Sequence, residues 1–333
     1  MMMSKLVFAL VFLVYPFLTS ARHVITFRSS AALQPSSLAW DPIAQHFVVG
    51  SISGPTVHAI SDAGVVEHLL SDPSATGADG SATSVAVDPV RRRLIVGFSN
   101  PGSIAAYDLK SYERIFAVPL PEMDTIPGGV AVDLRSGEVF VSSTKRGVVW
   151  KVGLDGAMRV ISESKIFGDQ GLGGVVHVGR GYLLIVQTDM GKIFKVDSDD
   201  GAAKEVLSTS SSKPLATAGH AVALHPDLSL VVATNRSVLL VKSDDSWAQA
   251  AVHDKSDLED GLTAVAVAIR EGKKAYVLVK LQEGFQIEEV AWEKESEGDM
   301  VWGLVLIGLG LAYFMFWRFQ MGKLAGSLNK KHA

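Results

Sequence analysis

One phrase returns six times along this chain, and its period restricts the fold more than any other feature. Apolar segments open as SLAWDP at Ser37, SVAVDP at Ser84, GVAVDL at Gly129, GVVHVG at Gly174, AVALHP at Ala221 and AVAVAI at Ala264. The steps between them are 47, 45, 45, 47 and 43 residues. Each phrase leads into a second apolar run (HFVVGS, RLIVGFS, EVFVSS, YLLIVQT, SLVVAT, KAYVLVK) and then a third (TVHAIS, SIAAYDL, GVVWKVG, KIFKVD, SVLLVKS, FQIEEV). Turn residues such as Leu134-Arg135-Ser136-Gly137 separate them. A period near 45 residues built from short strands is the signature of a β-propeller, with one blade per repeat. An ordinary sandwich of hydrophobic strands does not account for six nearly equal periods.

The first strand of each unit is mostly Val/Ala alternation, and Ala39, Ala86, Ala131, Ala223 and Ala266 recur at one position. Small side chains suit the innermost strand, where blades crowd around the axis. Fourth strands are expected at 67–70, 114–120, 158–163, 204–208 and 248–253. The sixth unit lacks one, but an unassigned strand, HVITFR, stands at 23–28 ahead of the first unit. The expected fold is therefore all-β: a six-bladed propeller over 22–292, closed by its N-terminal strand, because closure removes an exposed sheet edge.

With these six blades and the phrase PGGVAVD…GEVFVS from Pro127 to Ser142, the chain resembles a superfamily of propellers. Its members are the senescence-marker protein, gluconolactonase, strictosidine synthase-like and paraoxonase-type (calcium-dependent phosphotriesterase) proteins, with NHL-repeat propellers close by. The resemblance covers about residues 23–292. It implies a divalent cation, usually calcium, held low in the central tunnel by a Glu and several Asn or Asp residues just before the innermost strands. Such a cation needs hard oxygen donors converging on one point. This chain places Ser36/Ser37, Thr83/Ser84, Gly128/Gly129, Gly173/Gly174, His220/Ala221 and Thr263/Ala264 there. None is a carboxylate or an amide, so the chain departs from the family pattern where the family chemistry resides.

Other chemistries leave few traces. Gly-x-Ser-x-Gly, His-Glu-x-x-His and P-loop motifs are absent. His177 and His220 are candidates for a general-base pair across the tunnel, weighed against packed or rim positions. The glycine-rich GDQGLGG, Gly168 to Gly174, has no helical pattern after it and reads as a turn. One register is acidic: Asp79, Asp124, Asp169 and Glu259 stand five residues before the phrase openings at Ser84, Gly129, Gly174 and Ala264, in loops expected to share one rim. They are either solvated loop acids or a ring that binds a cation or a basic segment. No cofactor is required, and Ca2+ is the candidate ion for that ring. The net charge of −4 presents no basic surface for nucleic acid, and the absence of cysteine rules out disulfides and thiolate metal sites.

The two ends suggest a cellular address. Residues 1–21, MMMSKLVFALVFLVYPFLTSA, have a basic start, a 13-residue apolar run from Leu6 to Leu18 and small residues at Thr19-Ser20-Ala21, the pattern of a signal peptide. An acidic linker at 293–300 precedes a transmembrane helix expected at 301–319, with Trp302 and Trp317 near its ends. Basic residues follow in the tail, 320–333, so the tail is expected in the cytosol and the propeller in the lumen. Lys330 and Lys331, fourth and third from the end, resemble the dilysine retrieval signal of endoplasmic-reticulum membrane proteins. Asn235-Arg236-Ser237 is a glycosylation sequon.

Together these features predict a single-pass type I glycoprotein of the endoplasmic reticulum, or of another secretory-pathway membrane. Its lumenal propeller acts as a binding or scaffold module for a protein or small-molecule ligand, with the membrane as its other partner. The competing class is a divergent lumenal hydrolase acting on lactones or esters, or a strictosidine synthase-like enzyme.

Overall fold

The structure, a computed structural model, describes residues 22–28, 33–75, 80–121, 125–209, 214–270, 274–292 and 306–321. It divides into a unit spanning His23–Val290 and a separate unit made of residues 1–22 and 291–333.

The larger unit is a ring of six sheets, each built on an antiparallel meander whose first strand is innermost. The inner strands are Ala39–Asp41, Ala82–Asp88, Pro127–Val132, Val175–Val178, Ala221–Leu224 and Thr263–Arg270, blades 1 to 6 in that order. The chain enters every inner strand on one face of the ring, the inlet face, and leaves it on the other, the outlet face. The second strands are buried along their whole length in blades 2, 3, 4 and 5, as in the Tyr182–Gln187 segment YLLIVQ. That explains why they read as unbroken apolar runs: both faces of each sheet are covered by neighbouring blades. The core lies between blades. Val48 and Val57 of blade 1, for instance, pack with Ala82, Leu94 and Phe98 of blade 2.

The aspartate that recurs in SLAWDP, SVAVDP and GVAVDL has a structural meaning beyond its strand. Asp41, Asp88 and Asp133 end the inner strands of blades 1 to 3, and their carboxylates accept backbone N–H groups two or three residues on. These are Asx turns that reverse the chain into the second strand. The Arg91-Arg92-Arg93 run then ties three blades together. Arg92 reaches Asp41 of blade 1 at 2.7 Å, while Arg93 bonds Asp88 at 2.8 Å and the Gly137 carbonyl of blade 3 at 2.8 Å. Arg91 donates to the carbonyls of Leu134 and Arg135.

The ring closes as the sequence predicts. Val24–Phe27 pairs antiparallel with Gly284–Glu289, with Ile25 opposite Ile287, and so supplies the outer strand of blade 6. The junction with blade 1 is held by Arg270, which makes two 2.6 Å bonds to Asp62 and lies 4.6 Å over the Trp40 ring.

One strand expectation needs correction. Residues 204–208 do not form a single fourth strand. Ala203–Glu205 completes blade 4, whereas Leu207–Ser208 pairs in parallel with Gln249–Ala250 and makes blade 5 five-stranded. Val206, buried between these pieces, turns its backbone N–H to the Ile193 carbonyl at 2.9 Å, so the chain changes sheets there.

In the smaller unit the described regular element is a helix over 306–321. It covers 16 residues, about 24 Å at 1.5 Å per residue against about 30 Å of bilayer hydrocarbon. Among the described residues no helix is long and apolar enough to cross a membrane. The expected span begins at 301, and residues 301–305 lie outside the described part, as do 1–21, 293–300 and 322–333 with Lys330 and Lys331.

Candidate functional site

The inner strands surround an axial cavity of about 290 Å3 lined by all six blades. Its wall includes Ser36, Thr83, Gly128, Thr144, Thr188 and His220. Five of the six pairs of positions where the family resemblance implies metal ligands therefore do contribute to the wall, and all of them but His220 are small or hydroxyl-bearing.

Their hydrogen bonds explain those residue types. Ser36 Oγ donates to the Ala82 carbonyl at 2.6 Å, joining blade 1 to blade 2. Thr83 Oγ1 lies 3.4 Å from the Pro127 carbonyl, joining 2 to 3. Ser142 Oγ donates to the Gly173 carbonyl at 2.5 Å, joining 3 to 4. Gly174 N–H donates to the His220 carbonyl at 2.9 Å, joining 4 to 5. His220 Nε2 lies 3.1 Å from the Val265 carbonyl, joining 5 to 6. Five successive blade junctions are thus each bridged by a hydrogen bond beside the axis. The glycines serve the same close approach: a Cβ on Gly128 would sit 2.2 Å from the Leu172 carbonyl oxygen.

These residues do not fit a hard divalent cation. A hydroxyl whose proton points at a carbonyl is a neutral, weak donor, and backbone N–H groups repel a cation. Both nitrogens of His220 face carbonyl oxygens, with Nδ1 at 3.3 Å from Ala218 O. Among the described residues no carboxylate lines the cavity.

The structure separates the two histidines proposed as a pair. His220 lines the axial cavity, while His177 lies stacked on Phe140 at 5.4 Å with its Nδ1 3.7 Å from Asp133. Burial, only partly opposed by Asp133, pushes the His177 imidazole below its ordinary value. The side chain of His177 packs into the wall between blades 3 and 4, so the pair is not a catalytic couple.

Two members of the acidic register, Asp79 and Asp124, lie outside the described residues. Asp169 and Glu259 are exposed in inlet loops. Asp169 lines a surface groove of about 600 Å3 together with Arg146, Glu163 and Lys165, and Arg146 is ion-paired with Glu163. Asn235 is exposed in the turn between Leu230–Ala233 and Ser237–Lys242 of blade 5, also on the inlet face. The hydrogen bonds across the blade junctions have no direct signature in the sequence. The signal was the exclusion of acids and amides from six equivalent positions, and the structure shows what those positions do instead.

No protein-family model matches the sequence, and no curated protein matches it. Solved structures do. The major allergen Mala s 1 of Malassezia sympodialis superposes with a TM-score of 0.64 at 14% identity, covering 82% of this chain and 97% of that one. A gluconolactonase of Xanthomonas campestris superposes with a TM-score of 0.60 at 16% identity, covering 82% and 91%. The chain is a six-bladed β-propeller. Its relatives in structure include a gluconolactonase and other propellers, and identities this low carry the fold alone.

Proposed function

We propose that this propeller is a binding or scaffold module, tethered to a membrane of the secretory pathway by its C-terminal apolar segment and facing the lumen. The observation that carries the reading is the chain of hydrogen bonds beside the axis. Where the resemblance implies metal ligands, this chain has residues that hold blade to blade. Such a frame is suited to presenting a surface or a small neutral cavity. The tether rests on the apolar run at 301–319, the acidic flank before it and the basic flank after it.

Topology is tested at Asn235. A lumenal propeller should carry a glycan there, so glycosidase treatment should shift the full-length protein, and Asn235→Gln should abolish the shift. Digestion of the propeller by protease added to the cytosolic side of intact microsomes would overturn the topology. The competing hydrolase reading is tested by a lactone and aryl-ester panel on the purified protein, where turnover abolished by a chelator would favour it. The register of Asp79, Asp124, Asp169 and Glu259 belongs to the binding reading as a rim for calcium or a basic segment. A Tm that rises with calcium supports the ion, and no shift at millimolar calcium ends it.

A further inference from the structure

The two faces of the ring differ in what their turns carry. On the outlet face, blades 1 to 3 place a large apolar side chain at the tip of every turn. Ile43, Val90 and Leu134 follow the three Asx-capped aspartates, and Val65, Tyr112 and Leu154 occupy the turns before the fourth strands. All six are exposed, with Val90 at 65% and Val65 at 63%. The aspartates of these turns bond backbone N–H groups or Arg92, Arg93 and Arg270. The tips therefore join large apolar side chains to exposed charges of both signs: Lys110 and Arg135 on one side, and Glu113, Asp155 and the Arg270-paired Asp62 on the other. The tips lie close together: Arg91 bonds the Leu134 carbonyl, and both Arg91 and Leu154 approach Gly137. On the same face, the turns of blades 4 and 5 expose Arg180, Asp199, Asp200, Asp227, Asp244 and Asp245, and the exposed large hydrophobic beside them among the described residues is Leu207, paired next to the blade 5 turn.

Both chain ends leave the propeller on this same outlet face, from blade 6, which lies next to blade 1 in the ring. Glu289 N–H donates to the His23 carbonyl at 2.8 Å, and Val290 N–H to the Ala275 carbonyl at 2.8 Å. Both bonds lie at the end of the sheet where Arg270 finishes the inner strand. From there thirteen residues (293–305) lead to the helix over 306–321, whose Leu306, Leu309, Tyr313, Phe316 and Phe319 are exposed. The segment proposed as the anchor therefore joins the propeller on its outlet face.

We propose that the outlet face of blades 1 to 3 docks on the bilayer surface, with Ile43, Val65, Val90, Tyr112, Leu134 and Leu154 entering the headgroup region. Apolar and aromatic tips beside Lys and Arg are the composition that binds such an interface, and their burial reaches about 5–10 Å below the surface. The acidic tips of blades 4 and 5 are repelled by anionic lipid, so the ring sits tilted onto blades 1 to 3. This inference rests on the membrane tether proposed above.

The chain has no cysteine, so single substitutions give single labels. Full-length Val90→Cys and Leu134→Cys, carrying an environment-sensitive fluorophore, are reconstituted into vesicles of phosphatidylcholine and phosphatidylserine. Ile52→Cys and Met190→Cys report the inlet face, where both side chains are exposed. Headgroup-depth spin-labelled lipid should quench the Val90 and Leu134 labels strongly and leave the Ile52 and Met190 labels unquenched. Equal quenching at the two faces, or none at Val90 and Leu134, overturns the docking. Alkaline carbonate extraction of the same vesicles reads the tether separately. Protein that stays in the pellet with an unquenched outlet face loses the docking and keeps the tether, whereas protein released to the supernatant loses both.

Discussion

At the scale of single residues, the structure turns on groups that have no room to change. Gly128 is one. A methyl there meets the Leu172 carbonyl oxygen at 2.2 Å, so the junction between blades 3 and 4 must open to accept it. Gly54, with nothing within 4 Å, is the matched control. Gly128→Ala should cost about 2–3 kcal/mol as an overpacking change, and Gly54→Ala should be near neutral, both read from denaturant unfolding. Three histidines set a pH response. Burial pushes His46 below its ordinary 6.5, with Asp41 and Glu67 opposing. Burial and then the neighbouring His68 lower His58, and burial against Asp133 lowers His177. The unfolded chain takes up protons near 6.5, whereas the folded chain takes them up only at lower pH. Their contribution to stability is therefore complete above 6.5 and is lost as pH falls through the folded values. Melting curves should show Tm dropping as pH falls below about 6.5, with a shallower drop in His58→Gln. A flat profile across that range would contradict the assignment.

At the scale of elements, the N-terminal strand decides whether the ring is closed. Ile25 is 1% exposed and packs in the cluster that joins blade 6 to blade 1, with Phe47, Leu278 and Ile287. Ile25→Ala should therefore cost about 2–4 kcal/mol, the same class of loss as Ile287→Ala. Deleting residues 22–28 should lower the Tm of the whole propeller in one transition, since blade 6 would then present Gly284–Glu289 as a bare edge. Unchanged melting after the deletion would show the strand to be an ornament of the ring. The parallel Leu207–Ser208 addition to blade 5 shows the opposite case, a pairing that local sequence does not announce. Nothing in KEVLS separates its first half from its second, and the break at Val206 follows from which neighbouring blade each half meets.

At the scale of the whole molecule, the proposed address and the fold make separate demands on the chain. Replacing Lys330 and Lys331 with Ser should release the protein from a reticular distribution toward the Golgi or the cell surface, followed by microscopy and by complex-type glycan processing. Unchanged reticular staining would assign retention to another part of the chain. Neither lysine belongs to the propeller unit, so the melting temperature should not move.

The blades were legible from the sequence alone, because a strand buried on both faces reads as a local run and a repeat of 45 residues needs no partner to be seen. Closure by residues 23–28 was legible too, since one unit lacked a strand and one strand lacked a unit. The absence of acids and amides at the inner-strand approaches was equally plain. What those positions do was not, because each bond across a blade junction links residues 31 to 46 apart whose geometry depends on how neighbouring sheets pack. Tertiary structure alone separated His177 from His220, placed Asp169 in a groove with Arg146 and Lys165, and gathered the apolar turn tips of three blades on the face where both chain ends emerge. Sequence period determines the element, whereas the approach of one element to another determines which side chains meet.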